Sequence, residues 1–358
     1  MLQPNVMISG EEISPSPLSD APEICRMGVQ DLTASYRTGL LSPVEVVRET
    51  LAQAEVVGTR FGAFVVIDAE GALSAAKASE RRWRDGAPLS AIDGVPTTIK
   101  DIVAVRGHPM RAGSKTTYSD PQAADCPAVE RLRAAGAPLL GLTTTPEFGF
   151  EAVTQSPLTG ITTNPWNASL TPGGSSGGAA VAAAAGAGVL HLGTDGGGSI
   201  RIPAAFTGTV GLEPPYGRVP AYPPSPYGTL AHLGPIARSV RDVAAMMEVI
   251  GGHDDRDWYQ PVGGFPRVDV WPFDFKGARV GWWRVPFGSD VDTEVAAACR
   301  CAVAALKDAG AEVEEIALPD FPLLEMFKTL WYAGAAARLA AIAPDRRALC
   351  DPELLEIV

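Results

Sequence analysis

The stretch TPGGSSGGAAVAAAAGAGVLHLGTDGGGSIRIP, residues 171–203, decides the architecture of this chain. Two clusters of glycine and serine enclose an alanine-rich segment, and no aspartate, glutamate, lysine or arginine occurs in it before Asp195. Glycine tolerates backbone conformations that other residues avoid, so each cluster predicts a tight turn. Between the turns, the pattern predicts a helix over Ala179–Gly186 and a strand over Val189–Thr194.

Alternating helical and strand patterns flank this stretch on both sides. Ser42 is a suitable N-cap, with Pro43 at the first helical position. The predicted helices are Ser42–Val56, Glu70–Trp83, Pro127–Ala135, Arg238–Gly252 and Asp292–Ala309. The predicted strands are Ala63–Asp68, Arg279–Trp283 and segments within residues 94–105, 138–144 and 311–318. This alternation predicts an α/β fold around a mixed sheet.

Composition and charge exclude several classes of protein. The net charge is -12 over 358 residues, which disfavours direct contact with nucleic acid or an anionic membrane. The longest apolar run, Ala179–Leu190, has 12 residues and is too short to span a bilayer. Five scattered cysteines indicate neither a disulfide framework nor a zinc site, and they favour the cytoplasm. Residues 1–27 are typical of a loose leader and not of a signal peptide.

Common glycine and histidine motifs do not explain the two clusters. No GxxxxGK[ST] string occurs, and the GxG at Gly186 and Gly188 lacks the third glycine of a dinucleotide fingerprint. A GxSxG string centres on Ser176, but no clear Asp and His follow in the order that a hydrolase elbow needs. None of the four histidines lies in a distinctive context: His108, His191, His232 and His253.

Serine and lysine remain as candidates for chemistry. Lys100 follows the apolar run VPTTI, so we expect its amine to be partly buried, which lowers a lysine pKa and makes the neutral amine a competent base. Ser199 follows three glycines that allow successive N–H groups to converge on one point. Each such donor contributes ~3 kcal/mol to a negatively charged transition state. Ser175 lies in the first glycine cluster and is placed to relay a proton.

At this point three motifs resemble the amidase signature family. They are GVPTTIKD (94–101), GGSSGG (173–178) and GTDGGGSIRIPAAFTGTVGL (193–212). The family uses a Ser–Ser–Lys triad, so the resemblance implies Ser199 as nucleophile, Ser175 after a cis peptide as bridging serine, and Lys100 as base. The intervals of 75 and 24 positions match those of the family.

The resemblance also implies the rest of the site and the fold. The expected fold is a mixed twisted β-sheet core covered by helices on both faces, formed by residues 28–358. We expect neither a cofactor nor a metal. The expected oxyanion-hole residues are Gly196, Gly197, Gly198 and Ser199, and the expected supporting residues are Ser176, Thr194, Asp195 and Arg201.

Three departures from the family pattern accompany the resemblance. Gly196 stands where a larger residue is usual, and GLEPPYGRV (211–219) replaces a GLKPT-type string, with Glu213 and Pro215 at the altered positions. Family members also extend further, so we expect that this chain lacks the C-terminal part of the domain.

The expected function is hydrolysis of a small-molecule carboxylic amide to an acid and ammonia or an amine, through an acyl-Ser199 intermediate. One alternative is the A-type chain of a glutamyl-tRNA(Gln) amidotransferase, which releases ammonia from glutamine and needs partner subunits. A second alternative is a truncated, inactive α/β protein that binds ligands or partners. No membrane contact is expected, and the sequence is compatible with a homodimer.

Overall fold

A computed structural model describes residues 16–260, 274–283, 291–317 and 321–357. The chain divides into two compact units. The first comprises residues up to Phe265 together with Thr329–Val358, and the second comprises Pro266–Lys328. The boundary predicted between a leader of residues 1–27 and a domain of residues 28–358 stays a prediction, because residues 1–15 lie outside the described ranges.

The first unit contains a six-stranded mixed sheet with the strand order β1-β3-β2-β6-β8-β7. Strand β2 runs parallel to β3 and β6, whereas β1, β8 and β7 each run antiparallel to their neighbours. The strands are β1 (Phe64–Ile67), β2 (Thr97–Lys100), β3 (Leu139–Thr143), the short pair β4 (Gln155–Ser156) and β5 (Gly160–Ile161), β6 (Leu190–Asp195), β7 (Val210–Gly211) and β8 (His232–Ala237). The predicted mixed α/β sheet is confirmed.

Helices flank this sheet. They are α1 (Glu23–Arg26), α2 (Val29–Thr38), α3 (Pro43–Phe61), α4 (Ala69–Arg84), α5 (Pro127–Ala134), α6 (Gly177–Ala184), α7 (Arg201–Thr207) and α8 (Val240–Ile250). The predicted cap of α3 is present as a capping box between Ser42 and Glu45, and the helix continues to Phe61, beyond the predicted end at Val56.

The second unit is built around two parallel strands and one helix. These are β9 (Arg279–Trp282), α9 (Thr293–Asp308), which is capped by Asp292, and β10 (Glu312–Glu315). All three match predicted segments. Helix α10 (Leu323–Ala340) belongs to the first unit from Thr329 onwards, as does α11 (Pro352–Ile357).

Two parallel strands bring the functional segments together. Thr97 pairs with Leu190 and Ile99 with Leu192, so the carboxyl ends of β2 and β6 lie at the same edge of the sheet. Lys100 is the last residue of β2, and Asp195 is the last residue of β6. Side chains almost a hundred positions apart in sequence are therefore neighbours in space.

Helix α6 lies against this sheet with every residue buried. Its side chains are hydrogens, methyl groups and one valine, so its backbone approaches the strands closely. A Cβ atom added at Gly178 would overlap Thr144 Oγ1. The alanine-rich sequence is thus explained by close packing between the helix and the sheet.

No helix in the described part of the chain combines the length and the apolar character needed to cross a bilayer.

The core beneath the sheet is formed by aliphatic side chains from several elements. Among them are Leu32, Ile99, Leu132, Leu190 and Leu192.

Candidate active site

The amine of Lys100 is fully buried and is surrounded by hydroxyl groups. Its Nζ atom lies 2.6 Å from Ser175 Oγ, 3.0 Å from Ser176 Oγ and 2.9 Å from Thr194 Oγ1. Burial lowers the pKa of this lysine to about 7, against a smaller opposite effect of the Asp195 charge. A substantial fraction of the amine is therefore neutral near pH 7.

The Ser175 turn precedes helix α6. The Gly174–Ser175 peptide bond is cis, and Gly173 has a positive φ of 77°. The next residue connects this turn to the second glycine cluster, because the N–H of Ser176 donates to the carbonyl of Ser199 at 3.1 Å. The Ser176 hydroxyl also donates to the Thr194 carbonyl and accepts from the Thr194 N–H.

The loop at Ser199 is held by the carboxylate of Asp195. That carboxylate accepts hydrogen bonds from the N–H groups of Gly198 at 2.5 Å and Ile200 at 3.0 Å, and from two guanidinium nitrogens of Arg201 at 3.0 Å each. Burial alone raises the pKa of Asp195, but the hydrogen bonds from Arg201, Ile200 and Gly198 outweigh it and lower that pKa. Asp195 is therefore an anion that fixes the loop.

The four residues predicted as an oxyanion hole fall into two groups. Among the residues that the structure describes, the N–H groups of Gly196, Gly197 and Ser199 donate to no protein acceptor. The N–H of Gly198 is engaged by Asp195 instead. These three N–H groups thus have no acceptor among the described residues, and Gly196 and Ser199 also line the pocket.

Ser175 and Ser199 line the same pocket, but their hydroxyls are not hydrogen-bonded to each other in this structure. Of the predicted triad, Lys100 and Ser175 are joined by a hydrogen bond, whereas Ser175 and Ser199 are not. Hydrogen bonds of this kind are often long without substrate and shorten when it binds. Ser199 is buried, with 6% of the residue exposed.

The pocket holds about 890 Å³ of space, part of it open to solvent, which suits a small molecule. Its far side carries an aromatic stack in which Trp331 lies 4.3 Å from Tyr227 and 6.2 Å from Phe150 between ring centroids. Arg338 also lines the pocket. These residues were not predicted from the sequence, because no local motif marks them and only the fold brings them to the pocket of Ser199.

Comparison with known proteins identifies the family of this chain. The Amidase family model matches residues 45–351. The chain belongs to this family. A solved family member, a bacterial aryl acylamidase described as an amidase signature enzyme, superposes with a TM-score of 0.81 at 30% identity, covering 92% of this chain and 71% of that one. Peptide amidase from Stenotrophomonas maltophilia superposes with a TM-score of 0.80 at 29% identity, and the match covers 94% of this chain and 75% of that one.

Curated relatives carry two different names. One, from Chloroflexus aggregans (strain MD-66 / DSM 9485), is the A-type chain of glutamyl-tRNA(Gln) amidotransferase; it is 41% identical over 321 residues, which is 89% of this chain and 66% of that protein. The indoleacetamide hydrolase of Bradyrhizobium diazoefficiens is 40% identical over 301 residues, 81% of this chain and 56% of that protein. The chain therefore spans less than two thirds of the length of these relatives.

The unusual glycine at position 196 has a structural explanation in this family member. A Cβ atom on residue 196 would lie 3.0 Å from Cζ3 of Trp331, so the indole ring occupies the space that a larger side chain would need. The small residue and the large ring are complementary, and the wall of the pocket stays filled beside the Ser199 loop.

The second departure, Glu213, extends the loop network. Its carboxylate lies 2.7 Å from Arg201 and 3.0 Å from His232, and His232 lines the pocket. Burial and the charge of Asp195 raise the pKa of Glu213, despite the attraction of Arg201 and His232. Arg201 therefore lies between two carboxylates, of which Asp195 holds the loop.

Within the ranges that the structure describes, no three histidine, cysteine, aspartate or glutamate side chains converge in a way that would hold an ion. His191, a fully buried histidine, bonds through Nδ1 to Thr98 Oγ1 at 2.8 Å in the core.

Proposed function

We propose that this chain hydrolyses a carboxylic amide through an acyl-enzyme intermediate on Ser199. The observation that carries the proposal is the buried Lys100 amine, 2.6 Å from the Ser175 hydroxyl and with its pKa lowered to about 7. A general base works best when its pKa lies near the operating pH. Ser175 lines the pocket together with Ser199, and membership of the Amidase family supports the reaction class.

In the first half of the reaction, neutral Lys100 accepts the Ser175 proton while Ser175 accepts the Ser199 proton. Ser199 Oγ forms a bond to the amide carbon, and the carbonyl oxygen becomes an oxyanion. The free N–H groups of Gly196, Gly197 and Ser199 are its donors in this proposal. The C–N bond then breaks as the leaving nitrogen receives the proton back through Ser175.

In the second half, a water molecule replaces the departed amine. Its proton follows the same path to Lys100, and its oxygen attacks the acyl carbon. The bond from that carbon to Ser199 Oγ then breaks, the proton returns to Ser199, and the acid leaves. Ser176 and Thr194 position the Lys100 amine, and Asp195 with Arg201 positions the loop.

A fluorophosphonate probe tests the nucleophile directly. We expect one covalent adduct on the folded protein, located at Ser199 by peptide mass spectrometry. The variants Ser199→Ala and Lys100→Met should not react, whereas Ser169→Ala, an exposed serine outside the pocket, should react like the original chain. If the folded chain does not react, the alternative of an inactive ligand-binding protein is supported.

A second candidate function is supported by the relatives named as A-type chains of glutamyl-tRNA(Gln) amidotransferase. Under this alternative, Ser199 attacks the side-chain amide of glutamine and releases ammonia, and other subunits use it. The test is ammonia release from glutamine by the chain alone and with added partner subunits. Hydrolysis that requires the partners favours this candidate; hydrolysis of many amides without them favours the first.

A reducing compartment suits either candidate. All five cysteines are free thiols, three of them buried. We propose the cytoplasm on this basis.

A further inference from the structure

The imidazole of His232 is held in one orientation by two acceptors. Its Nδ1 atom lies 2.9 Å from the carbonyl oxygen of Leu230 and 3.0 Å from a carboxylate oxygen of Glu213. A carbonyl oxygen only accepts hydrogen bonds, so Nδ1 carries a hydrogen. The second oxygen of Glu213 lies 2.7 Å from the Arg201 guanidinium, which fixes the carboxylate in turn. The surroundings of His232 therefore set its tautomer.

The other ring nitrogen of His232, Nε2, is not engaged. It has no hydrogen-bond partner among the residues that the structure describes, and 14% of the side chain is exposed. Nε2 of His191 is unpartnered as well, but it is buried in the core. In a neutral imidazole with a hydrogen on Nδ1, Nε2 is an acceptor. His232, which lines the pocket, thus has an acceptor atom that is still free.

The imidazole lies beside the loop that carries the proposed oxyanion donors. His232 is paired across the sheet with Asp195, the residue before Gly196. A Cβ atom on Gly196 would lie 3.5 Å from the Leu230 carbonyl oxygen, which is the oxygen that accepts the His232 hydrogen. Ser199 lines the same pocket as His232. The free acceptor therefore belongs to a side chain next to the proposed binding place of the substrate carbonyl oxygen.

An amide bound at this loop brings a donor with it. Its nitrogen and its carbonyl oxygen are bonded to one carbon, so a group beside the oxyanion donors is also close to the nitrogen. The N–H of a primary or secondary amide loses its water in the pocket, and an unpaired donor is costly there. The carboxylate of Asp195 does not supply the acceptor, because Arg201 and backbone N–H groups of the loop already occupy it.

We infer that Nε2 of His232 accepts a hydrogen bond from the amide nitrogen of the substrate, which makes His232 a specificity-determining residue for amides that carry an N–H. This inference rests on the proposed function and names the substrate class for that same site. The hydrogen bond orients the nitrogen for the proton that arrives through Ser175 when the C–N bond breaks. Esters and N,N-dialkyl amides have no such donor.

Two variants separate the roles of the two ring nitrogens. Asparagine places an amide N–H near the position of Nδ1 and has no atom at that of Nε2. Glutamine places an amide oxygen near the position of Nε2 and has no donor at that of Nδ1. His232→Asn should therefore keep the contacts with Leu230 and Glu213 and lose the acceptor, whereas His232→Gln should keep the acceptor.

A matched amide and ester provide the measurement. 4-Nitroacetanilide and 4-nitrophenyl acetate have the same acyl and aryl groups, and only the anilide has an N–H. At about pH 8.5, His232→Asn should lower kcat/KM about tenfold or more for the anilide and less than about threefold for the ester. His232→Gln should retain more of the anilide activity than His232→Asn. His253→Asn, the same exchange at an exposed histidine outside the pocket lining, should change neither rate.

Three results would overturn the inference. Equal losses for anilide and ester in His232→Asn would indicate a structural role. A larger loss of anilide activity in His232→Gln than in His232→Asn would assign the effect to Nδ1 and its two acceptors. The third is an original chain that cleaves the ester and not the anilide, because the N–H would then give no advantage.

The fluorophosphonate probe separates this inference from the proposed catalysis, because its fluoride leaves without an N–H. Ser199 of the His232→Asn variant should react within about threefold of the rate of the original chain. If the folded original chain does not react, the proposed function is wrong. If it reacts, and the anilide-to-ester ratio of kcat/KM is the same in the original chain and in His232→Asn, the nucleophile stands and the role of His232 is wrong.

Discussion

The Nζ atom of Lys100 lies 2.6 Å from Ser175 Oγ at a point with almost no solvent access. Among the described residues no carboxylate contacts this amine, and its other neighbours at hydrogen-bond distance are the hydroxyls of Ser176 and Thr194. Hydroxyls stabilise a positive charge less than carboxylates do, so burial prevails and the pKa falls. The same arrangement that keeps the amine neutral places it against the hydroxyl that it would deprotonate.

Activity should rise with pH through the pKa of Lys100, which burial lowers to about 7. Below that value the amine is protonated and cannot act as base, so kcat/KM should fall about tenfold for each pH unit and level off above it. The measurement is a pH profile of amide hydrolysis, with unfolding monitored at every pH. A flat profile from about pH 5 to pH 9 on folded protein would rule out this lysine as base.

Stability should depend on pH through the same group. The pKa of Lys100 is about 7 in the folded chain and 10.5 for an ordinary lysine, so unfolding takes up a proton between these limits. The Lys100 contribution to the free energy of unfolding therefore rises with pH across this window, by at most about 1.4 kcal/mol per pH unit.

The variant Lys100→Met isolates this contribution, since other groups also titrate in the same window. Burial raises the pKa of Cys25 to about 11, for example, which acts in the opposite direction. In urea unfolding, the free energy of unfolding of the original chain minus that of Lys100→Met should increase between pH 7 and pH 10.5. A constant difference would mean that the amine is charged in the folded chain.

The effects of Lys100 and Ser175 on catalysis should not add. Each single variant, Lys100→Met and Ser175→Ala, should lower kcat by roughly 10³-fold or more, because both interrupt one proton path. The double variant should then be no slower than the worse single variant. Multiplied losses in the double variant would show that the two residues act independently.

Replacing Asp195 by asparagine should impair the Ser199 loop more than replacing Arg201 by methionine. Asp195→Asn removes the charge that accepts the Gly198 and Ile200 N–H groups, so we expect kcat to fall about a hundredfold or more. The Arg201 side chain is 54% exposed, and Arg201→Met leaves both backbone hydrogen bonds, so about tenfold is expected. Equal losses in kcat would contradict this order.

Glu213 should add little to stability despite its contacts with Arg201 and His232. Burial raises its pKa, so its ionised form is disfavoured in the folded chain and costs stability above that pKa. Glu213→Gln should therefore leave the free energy of unfolding at pH 7 within about 1 kcal/mol, or raise it slightly. Urea unfolding measures this, and a loss of several kcal/mol would assign Glu213 a structural role.

Much of the site could be predicted because its signals are local. The apolar run before Lys100 predicted a partly buried amine, and the structure has this residue fully buried at the end of strand β2. The glycine clusters predicted turns at Ser175 and Ser199, and the structure has positive φ values at Gly173 and Gly198. A short motif and its immediate neighbours contain this information.

Other elements could not be predicted for physical reasons. Strand β8 contains Pro235, which argues against a strand within a sheet, yet it pairs with β6 and β7. Helix α7 contains Pro203 only two residues after its start, where a missing N–H costs nothing. Tyr227 and Arg338 are ordinary residues in sequence, and only their shared pocket, more than a hundred positions apart, makes them significant.

Two residues of the pocket wall, Trp331 and Arg338, come from a different stretch of chain than the groups proposed to react. Lys100, Ser175 and Ser199 are fixed by the sheet and the glycine turns, whereas Trp331 and Arg338 are carried by α10. Natural selection can therefore alter what a relative recognises by changing one helix and keep the reacting groups intact. Protein engineers can follow the same route, with Gly196 and Trp331 exchanged as a pair.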